Sequence, residues 1–227
     1  MTATLITGAN RGLGYETARR LLAEGHDVWI GARDPERGRA AAERLGARHV
    51  ALDVTDDAGV AAAAETVGEL DVLVNNAGIS GGMMPVEDVT PAVVERVLAT
   101  NVIGLVRVTQ AFLPLLRRSA IPVIVNVSSG MGSFGITTDP ERLESTLIGL
   151  QYPASKAAVN MLTSQYAKAL PDMRVNAVDP GYTATDFNDH RGHKTVEQGA
   201  EVIVRMALLG ASGPTGGYFD DHGAVPW

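Results

Sequence analysis

The sequence predicts an α/β fold: an open, doubly wound and mostly parallel sheet of about seven strands flanked by helices. Three observations carry that prediction. Short apolar runs alternate with longer segments of helical spacing along the chain, which is the pattern of strand-helix-strand crossovers. The first run ends in a glycine-rich turn, Gly8-Ala9-Asn10-Arg11-Gly12-Leu13-Gly14, that opens straight into a helical segment. No linker, low-complexity tract or repeat divides the 227 residues, a length that suits one substantial core and falls short of two ordinary domains.

Hydrophobic residues make up 45% of the chain and charged residues 20%, enough apolar side chain for a core and too little charge for a disordered polymer. A formal net charge of -7 and a pI near 5.2 argue against a general nucleic-acid-binding or anionic-membrane-binding surface, so neither partner is expected. The absence of cysteine excludes disulfides, thiolate catalysis and cysteine-ligated zinc, and it fits a cytoplasmic address. His26, His49, His190, His193 and His222 show no His-Glu-x-x-His pairing, so no metal site is expected. The first strand is expected to begin near Ala3, so no cleavable leader is expected ahead of it. No apolar run approaches the roughly 18 residues of a membrane helix.

Residues 3–7, Ala-Thr-Leu-Ile-Thr, read as a buried parallel strand, and a helix follows from about Gly12 to Ala23 with Ala18, Leu21 and Leu22 at core-facing spacing. Glycines in the turn between them allow close backbone approach, and the first amides of the helix suit a pyrophosphate. Gly8, Asn10, Arg11, Gly12, Leu13 and Gly14 are therefore candidate contacts of a dinucleotide, the alternative being a mere connecting turn. A Walker-type phosphate loop is excluded, because Leu13-Gly14 stands where Lys and then Ser or Thr are required.

The second strand, Val28 to Ala32, ends in Arg33, and Pro35 opens a helix that runs to Leu45. A carboxylate at this strand end would bind both ribose hydroxyls of NAD, whereas Ala32 and Arg33 leave room for, and charge against, a 2′-phosphate. With Arg11 as a second cation, NADP(H) is expected over NAD(H); the other reading of Arg33 is a surface pair with Asp34 or Glu36. His49 to Leu52 is the third strand, and Asp53 and Val54 at its end fall near an adenine ring. The alanine-rich run Ala58 to Val67 is helical. Asp71 to Val74 is the fourth strand and runs into Asn75-Asn76-Ala77-Gly78, whose small and amide side chains suit tight contact with a cofactor or with neighbouring strands. A long helix is expected over Val93 to Arg117, with Asn101 midway, where an amide is a poor choice for a purely apolar contact.

Ile121 to Val127 is the most apolar strand and ends in Ser128-Ser129. Ligands of doubly wound sheets bind beyond the carboxyl ends of the strands, so a hydroxyl there is placed for chemistry, although paired serines are also ordinary loop residues. Residues 130–151 predict a turn at Thr137-Thr138-Asp139-Pro140 and a short helix over Pro140 to Leu147. This segment leaves the sheet directly after Ser129 and returns at Tyr152, so it is expected to wall the substrate side of a site. The following helix, with Ala158, Val159, Leu162 and Tyr166 on one face, begins with Tyr152-Pro153-Ala154-Ser155-Lys156. Four residues are about one helical turn, so phenol and ammonium project together. The lysine charge favours the phenolate of a group that otherwise titrates near about 10, which makes Tyr152 a candidate general acid/base. The alternative is a half-buried tyrosine beside a solvated lysine. Met173 to Val178 is the sixth strand, closed by Asp179-Pro180-Gly181; Val196 to Leu209 is the last helix, and Gly216-Gly217-Tyr218-Phe219 an edge strand.

Taken together, Thr7-Gly8-x3-Gly12-x-Gly14, Asn75-Asn76-Ala77-Gly78, Asn101, Val127-Ser128-Ser129, Tyr152-x3-Lys156 and Pro180-Gly181 resemble the short-chain dehydrogenase/reductase family over residues 3 to about 219. The resemblance implies a Rossmann-type fold and hydride transfer between a nicotinamide and a small carbonyl or alcohol substrate. It assigns Tyr152 to protonating the carbonyl oxygen, Lys156 to lowering its pKa and binding the nicotinamide ribose, Ser129 to positioning the carbonyl, and Asn101 to a proton relay. Ser129 is preferred to Ser128 because the family's serine is usually the second of the pair. Asn76 and Ala77 fall on the adenosine side by the same resemblance, and Thr183 and Thr185 after Pro180-Gly181 near the nicotinamide and phosphates; Arg11 and Arg33 again imply NADP(H).

The spacing of 23 residues from Ser129 to Tyr152 exceeds the family's usual gap and resembles the monomeric carbonyl reductases. A monomer or an atypical dimer is therefore expected rather than a tetramer, with Phe134, Leu147, Tyr182 and Phe187 lining an apolar pocket. Two other readings are weaker. A redox sensor that binds NADP(H) without turnover has no need of the complete Asn-Ser-Tyr-Lys set, and enoyl reductases of this family usually space their tyrosine and lysine more widely.

Overall fold

In the computed structural model, which describes residues 1–82 and 84–227, strand register decides which side chains meet which layer. The strands are β1 Ala3–Thr7, β2 Asp27–Ala32, β3 Arg48–Ala51, β4 Val72–Asn75, β5 Val123–Val127, β6 Arg174–Val178 and β7 Tyr218–Phe219. They form one seven-stranded sheet in the order β3-β2-β1-β4-β5-β6-β7, and every neighbouring pair is parallel. Successive residues of a strand face opposite sides. Ile6, Ile30, Val74 and Val125 accordingly join one core with Ala18, Leu21, Ala41, Val202 and Ile203. Leu5, Trp29, Leu73 and Ile124 join the other, with Val60, Ala63, Val108 and Phe112. Both faces are buried, which is why the strands read as unbroken apolar runs.

The helices of the first layer are α1 Gly12–Ala23, α2 Pro35–Leu45 and α8 Val196–Ala207; those of the second include α3 Asp57–Val67, α5 Gly104–Leu116 and α7 Gln151–Ala169. Two shorter helices, α4 Pro91–Leu98 and α6 Phe134–Thr137, complete the set. Asp34 caps α2 by accepting from the Glu36 and Arg37 amides, with Pro35 in the first turn and Gly46 at φ +71° closing the helix. Strand order reverses between β1 and β4, so a crevice opens beyond their carboxyl ends.

The structure changes three sequence expectations. The single helix expected over Val93 to Arg117 is two helices, α4 and α5, joined by a π-helical turn at Ala99–Ile103 with Asn101 at its centre. The Asn101 amide at this turn bonds outside the helix, to Ile79 and Ser155, and such single wide turns are frequent at functional sites. The whole stretch Pro91–Leu116 is one run of 26 residues, long and apolar enough to cross a membrane by length and composition, which corrects the expectation that none is. Here its Val97, Val108, Phe112 and Leu116 are fully buried. In the inserted segment, the helix expected over Pro140 to Leu147 is only a 3-10 turn at Leu143–Thr146, and α6 forms ahead of the predicted turn instead. Side-chain oxygens decide this: Ser133 accepts from the Ile136 amide, the Thr137 and Thr138 hydroxyls donate to the Ser133 and Phe134 carbonyls, and Asp139 accepts from the Glu141 amide.

A polar ladder crosses the second core. Asn75 donates to Thr109 at 3.1 Å and to Asn126 at 2.9 Å, and Asn126 donates to Thr163 at 2.9 Å. Asn75 and Asn126 are register partners, so the ladder ties β4, β5, α5 and α7 just below the crevice. Removing its middle rung leaves buried amide and hydroxyl groups without partners. Asn126→Ala is expected to cost about 1–3 kcal/mol in urea-induced unfolding; a loss below about 0.5 kcal/mol, the surface-substitution range, would mean that the ladder contributes nothing.

Candidate active site

The floor of the crevice is the turn between β1 and α1. Gly8 has φ +66°, and a Cβ there would stand 3.0 Å from Ala77 Cα. A Cβ on Gly14 would stand 2.6 Å from Asn76 Nδ2 and 2.8 Å from Ala9 Cα, so any side chain would push the two strand ends apart. Hydrogen bonds close this junction. The Thr7 hydroxyl accepts from the Asn76 and Ala77 amides, both at 3.0 Å, while the Asn76 side chain donates to the Thr7 carbonyl at 2.8 Å and the Gly8 carbonyl at 3.2 Å. The amides of Asn75 and Asn76 are thus spent on strands and turn, and the part of Asn75-Asn76-Ala77-Gly78 is to hold the loop.

No side chain caps the start of α1, where Arg11 is the cap residue, and no acid stands in its first turn. Its first amides and the helix dipole therefore suit an anion, which is what the phosphates of a dinucleotide present. Gly12, at φ +57°, faces Thr185 across 3.6 Å measured from its would-be Cβ, so Thr185 stands at the same mouth.

At the outer end of the crevice, Asp34 is engaged by its helix cap and by Arg37 at 3.3 Å. Arg33 is exposed and makes no ion pair among the described residues, so the alternative surface pairing with Asp34 or Glu36 does not form. Arg11 is paired with Asp186 at 2.6 Å on an exposed surface. Asp53 accepts from the amide and hydroxyl of Thr55, and Val54 is buried.

The first turns of α7 bring the remaining candidates together. Lys156 is buried, donates to the Val127 carbonyl at 2.7 Å, and lies 5.6 Å from the centre of the Tyr152 ring. Burial pushes its ammonium down to about 8, with Asp179 acting to raise it. Burial also holds the Tyr152 phenol above its usual range; the Ser129 hydroxyl works against that and Asp179 adds to it. Desolvation rather than the lysine charge therefore sets the tyrosine in this structure, which corrects the expectation of a lowered phenol. Asn101 accepts from the Ile79 amide at 2.8 Å and donates to the Ile79 carbonyl at 2.9 Å and the Ser155 hydroxyl at 3.0 Å. A small cavity of about 10 Å³ lies among Thr7, Asn75, Asn101, Val127 and Lys156, near the lower limit for one water molecule.

The two serines separate by face. Ser128 is buried and donates to Asn160 at 2.5 Å, while Asn160 donates to the Gly132 carbonyl at 3.1 Å, so it fastens β5 to α7. Ser129 caps the 3-10 turn Gly130–Gly132 and is the hydroxyl that acts on Tyr152. Of the four expected pocket residues, Phe187 has its ring 5.4 Å from that of Tyr152. Tyr182 borders the cavity shared with Glu144, Asp179 and Lys194 and packs edge-on to His193, whereas Leu147 is partly exposed and Phe134 is 75% exposed with its ring in solvent. Thr183 is buried, bonding back to the Pro180 and Gly181 carbonyls.

A sequence model described as short chain dehydrogenase matches residues 2–196. The chain belongs to the short-chain dehydrogenase family. This family of nicotinamide-dependent oxidoreductases accounts for the fold and the glycine turn together. The chain is 35% identical to (+)-neomenthol dehydrogenase of Arabidopsis thaliana, with 90% of each chain covered. It is 34% identical to (-)-isopiperitenone reductase of Mentha piperita, with 95% of each covered. The solved structure of salutaridine reductase from Papaver somniferum superimposes with a TM-score of 0.85 at 30% identity, covering 97% of this short-chain dehydrogenase and 100% of that chain.

Sequence reasoning missed several residues that build the site. Ser155, Asn160 and Gln151 hold α7 in place, Gln151 by donating to the Gly82 carbonyl at 2.9 Å. Glu144, Asp179 and Lys194 line a second cavity, of about 240 Å³, between the inserted segment and the loop after β6. The signal for Asp179 was in the sequence, since an acid at the carboxyl end of a strand in a doubly wound sheet sits where ligands bind.

Proposed function

We propose that this oxidoreductase transfers a hydride between NADP(H) and a small, largely apolar carbonyl or alcohol substrate. The observation that carries the reading is the convergence of Tyr152, Lys156, Ser129 and Asn101 at the carboxyl ends of β4 and β5, beside a glycine turn with no room for side chains. Gly8, Asn10, Gly12, Leu13 and the first amides of α1 would hold the phosphates; Arg33, with Arg11 beside the turn, would hold the 2′-phosphate; Lys156, Thr183 and Thr185 fall on the nicotinamide side. Bound nicotinamide would supply or accept the hydride.

The protein's own part is to handle a proton in a dry site. The raised phenol keeps Tyr152 protonated through the neutral range, ready to give its proton to a carbonyl oxygen as negative charge develops there. Ser129 offers that oxygen a second donor, a preorganised arrangement that works best where water is excluded. Lys156 supplies the cation that stabilises Tyr152 after the proton has left, and Asn101 with the small cavity beside it provides the route by which the proton is replaced. The size of the insert supports a walled substrate site: Arg142, Leu143 and Glu144 border the larger cavity, and Ile148 and Leu150 expose apolar surface just before Tyr152. The named relatives are a dehydrogenase and reductases of small molecules, in agreement with this reading.

Tyr152→Phe, which removes the transferable proton and keeps the ring, is expected to lower kcat for ketone reduction by about 10²- to 10⁴-fold while leaving NADPH affinity in place. A wild-type kcat for the purified variant would overturn the acid assignment. Arg33→Ala is expected to weaken NADPH, measured by titration, by about 1.5–3 kcal/mol and to leave NADH nearly unchanged; equal losses for both cofactors would mean that Arg33 does not bind the 2′-phosphate. For the pocket, Phe187→Ala is expected to shift relative kcat/KM across a size-graded ketone series by about tenfold. Unchanged selectivity would remove Phe187 from the substrate wall.

A further inference from the structure

We propose that Gln151 is a positioning residue of the reaction: its side-chain amide closes a ring of hydrogen bonds that fixes the backbone of Tyr152, and with it the phenol, against the loop after β4. The proposal rests on the functional reading above for what the phenol does, and one arm of its test is independent of that reading.

The start of α7 has no ordinary anchor. Leu150 is its cap residue, and no side chain caps the helix there. Pro153, in the first turn, has no amide hydrogen to give. Ile148 and Leu150, on the approach from the inserted segment, are exposed. Capping therefore does not fix where Tyr152, the second residue of the helix, stands.

Gln151 takes that part. It is 4% exposed, and its Nε2 donates to the Gly82 carbonyl at 2.9 Å and reaches the Ser80 carbonyl at 3.5 Å. Gly81, between them, has φ +79°, and a Cβ there would stand 2.6 Å from Val97 Cγ2 and 3.0 Å from Gln151 Cγ. The loop thus lies directly on the glutamine stem, and only glycine fits both the conformation and the space. The other end of the loop is Ile79, whose amide and carbonyl are both held by Asn101, at 2.8 and 2.9 Å. The Asn101 amide also donates to the Ser155 hydroxyl at 3.0 Å, and that hydroxyl donates to the Tyr152 carbonyl at 2.7 Å. Since Gln151 is bonded covalently to Tyr152, the circuit closes on the residue whose phenol must meet a carbonyl oxygen. Asn101 and Ser155 hold the Tyr152 backbone from one side, and Gln151 holds it from the other.

Closing the ring has a cost. The Gln151 Oε1 is buried with no hydrogen-bond partner among the described residues, and an unpaired buried acceptor lowers stability. Methionine has nearly the same shape and no such acceptor, so for stability alone it would serve as well. What glutamine has and methionine lacks is the Nε2 donor on which the ring depends.

Gln151→Met opens the ring and keeps the shape. It is expected to lower kcat for ketone reduction by about 10- to 100-fold, with KM for NADPH unchanged and Tm not lowered. A wild-type kcat overturns the proposal, and so does a loss of kcat that comes with weaker NADPH binding and a lower Tm, the mark of general loosening. Gln151→Glu restores the link by pH. Its carboxyl donates to the Gly82 carbonyl only while protonated, and burial against two carbonyl oxygens holds it above the usual value of about 4.3. Its kcat relative to wild type is expected to be near unity at about pH 5 and to fall about tenfold by about pH 8; a ratio independent of pH overturns the proposal. Should the methionine variant fail to fold, Gln151→Glu decides. Amide hydrogen exchange, read by NMR without substrate or cofactor, tests the ring by itself. The Ile79 and Ala154 amides are expected to exchange at least about tenfold faster in Gln151→Met, with those of β4 and β5 unchanged, and unchanged exchange at both overturns the proposal. Failure of the wild-type protein to reduce any ketone would sink the functional reading and leave the exchange result standing, whereas a wild-type kcat in Gln151→Met would sink only the role of Gln151.

Discussion

The rest of the site depends on one hydrogen bond, from the buried Lys156 ammonium to the Val127 carbonyl at the end of β5. An ammonium taken out of water is costly unless partners replace its hydration. The carbonyl supplies one such partner, the Tyr152 ring lies 5.6 Å away, and burial still drives the group down to about 8. A lysine held this way is stiff and only partly committed to its charge, which is how a protein obtains a cation that responds to what happens beside it. Everything that positions this bond, from the β5–β6 register to the tie between Ser128 and Asn160, serves the same few atoms.

The crevice around that bond is built by removing side chains as much as by placing them. Gly8 and Gly14 let the turn after β1 lie against Asn76 and Ala77. A Cβ on Gly132 would stand 2.5 Å from the Lys156 carbonyl carbon, so the turn carrying Ser129 packs directly on the backbone of α7. Three glycines thus set the approach of three elements, and the hydroxyl, phenol and ammonium inherit their spacing from it.

The inserted segment brings its own electrostatics. Its Glu144 enters the cavity shared with Asp179 and Lys194, and the exposed Ile148 and Leu150 lead up to Tyr152. The segment's caps and turns are satisfied locally by Ser133, Thr137, Thr138 and Asp139, so it carries structure of its own.

By itself the sequence determined the strand and helix order, the parallel sheet, the glycine turn and the pairing of Tyr152 with Lys156, because each rests on periodicity or on spacing within one turn. It also marked Asn101 as out of place in an apolar helix, although it concealed the π-helical turn, since a wide turn depends on the Ile79 and Ser155 partners that the amide finds. Only the tertiary structure decided the rest. Which serine faces the phenol depends on Asn160, further along the helix that carries Tyr152; whether Arg33 is free depends on Asp34 being engaged by its own cap; and the direction of the Tyr152 shift depends on its desolvation by the fold. Phe134 and Leu147 were chosen by chain position, whereas exposure is a property of the packed surface. Asp179, closing a strand in sequence, became buried at the crevice only when β5 and β6 paired in register.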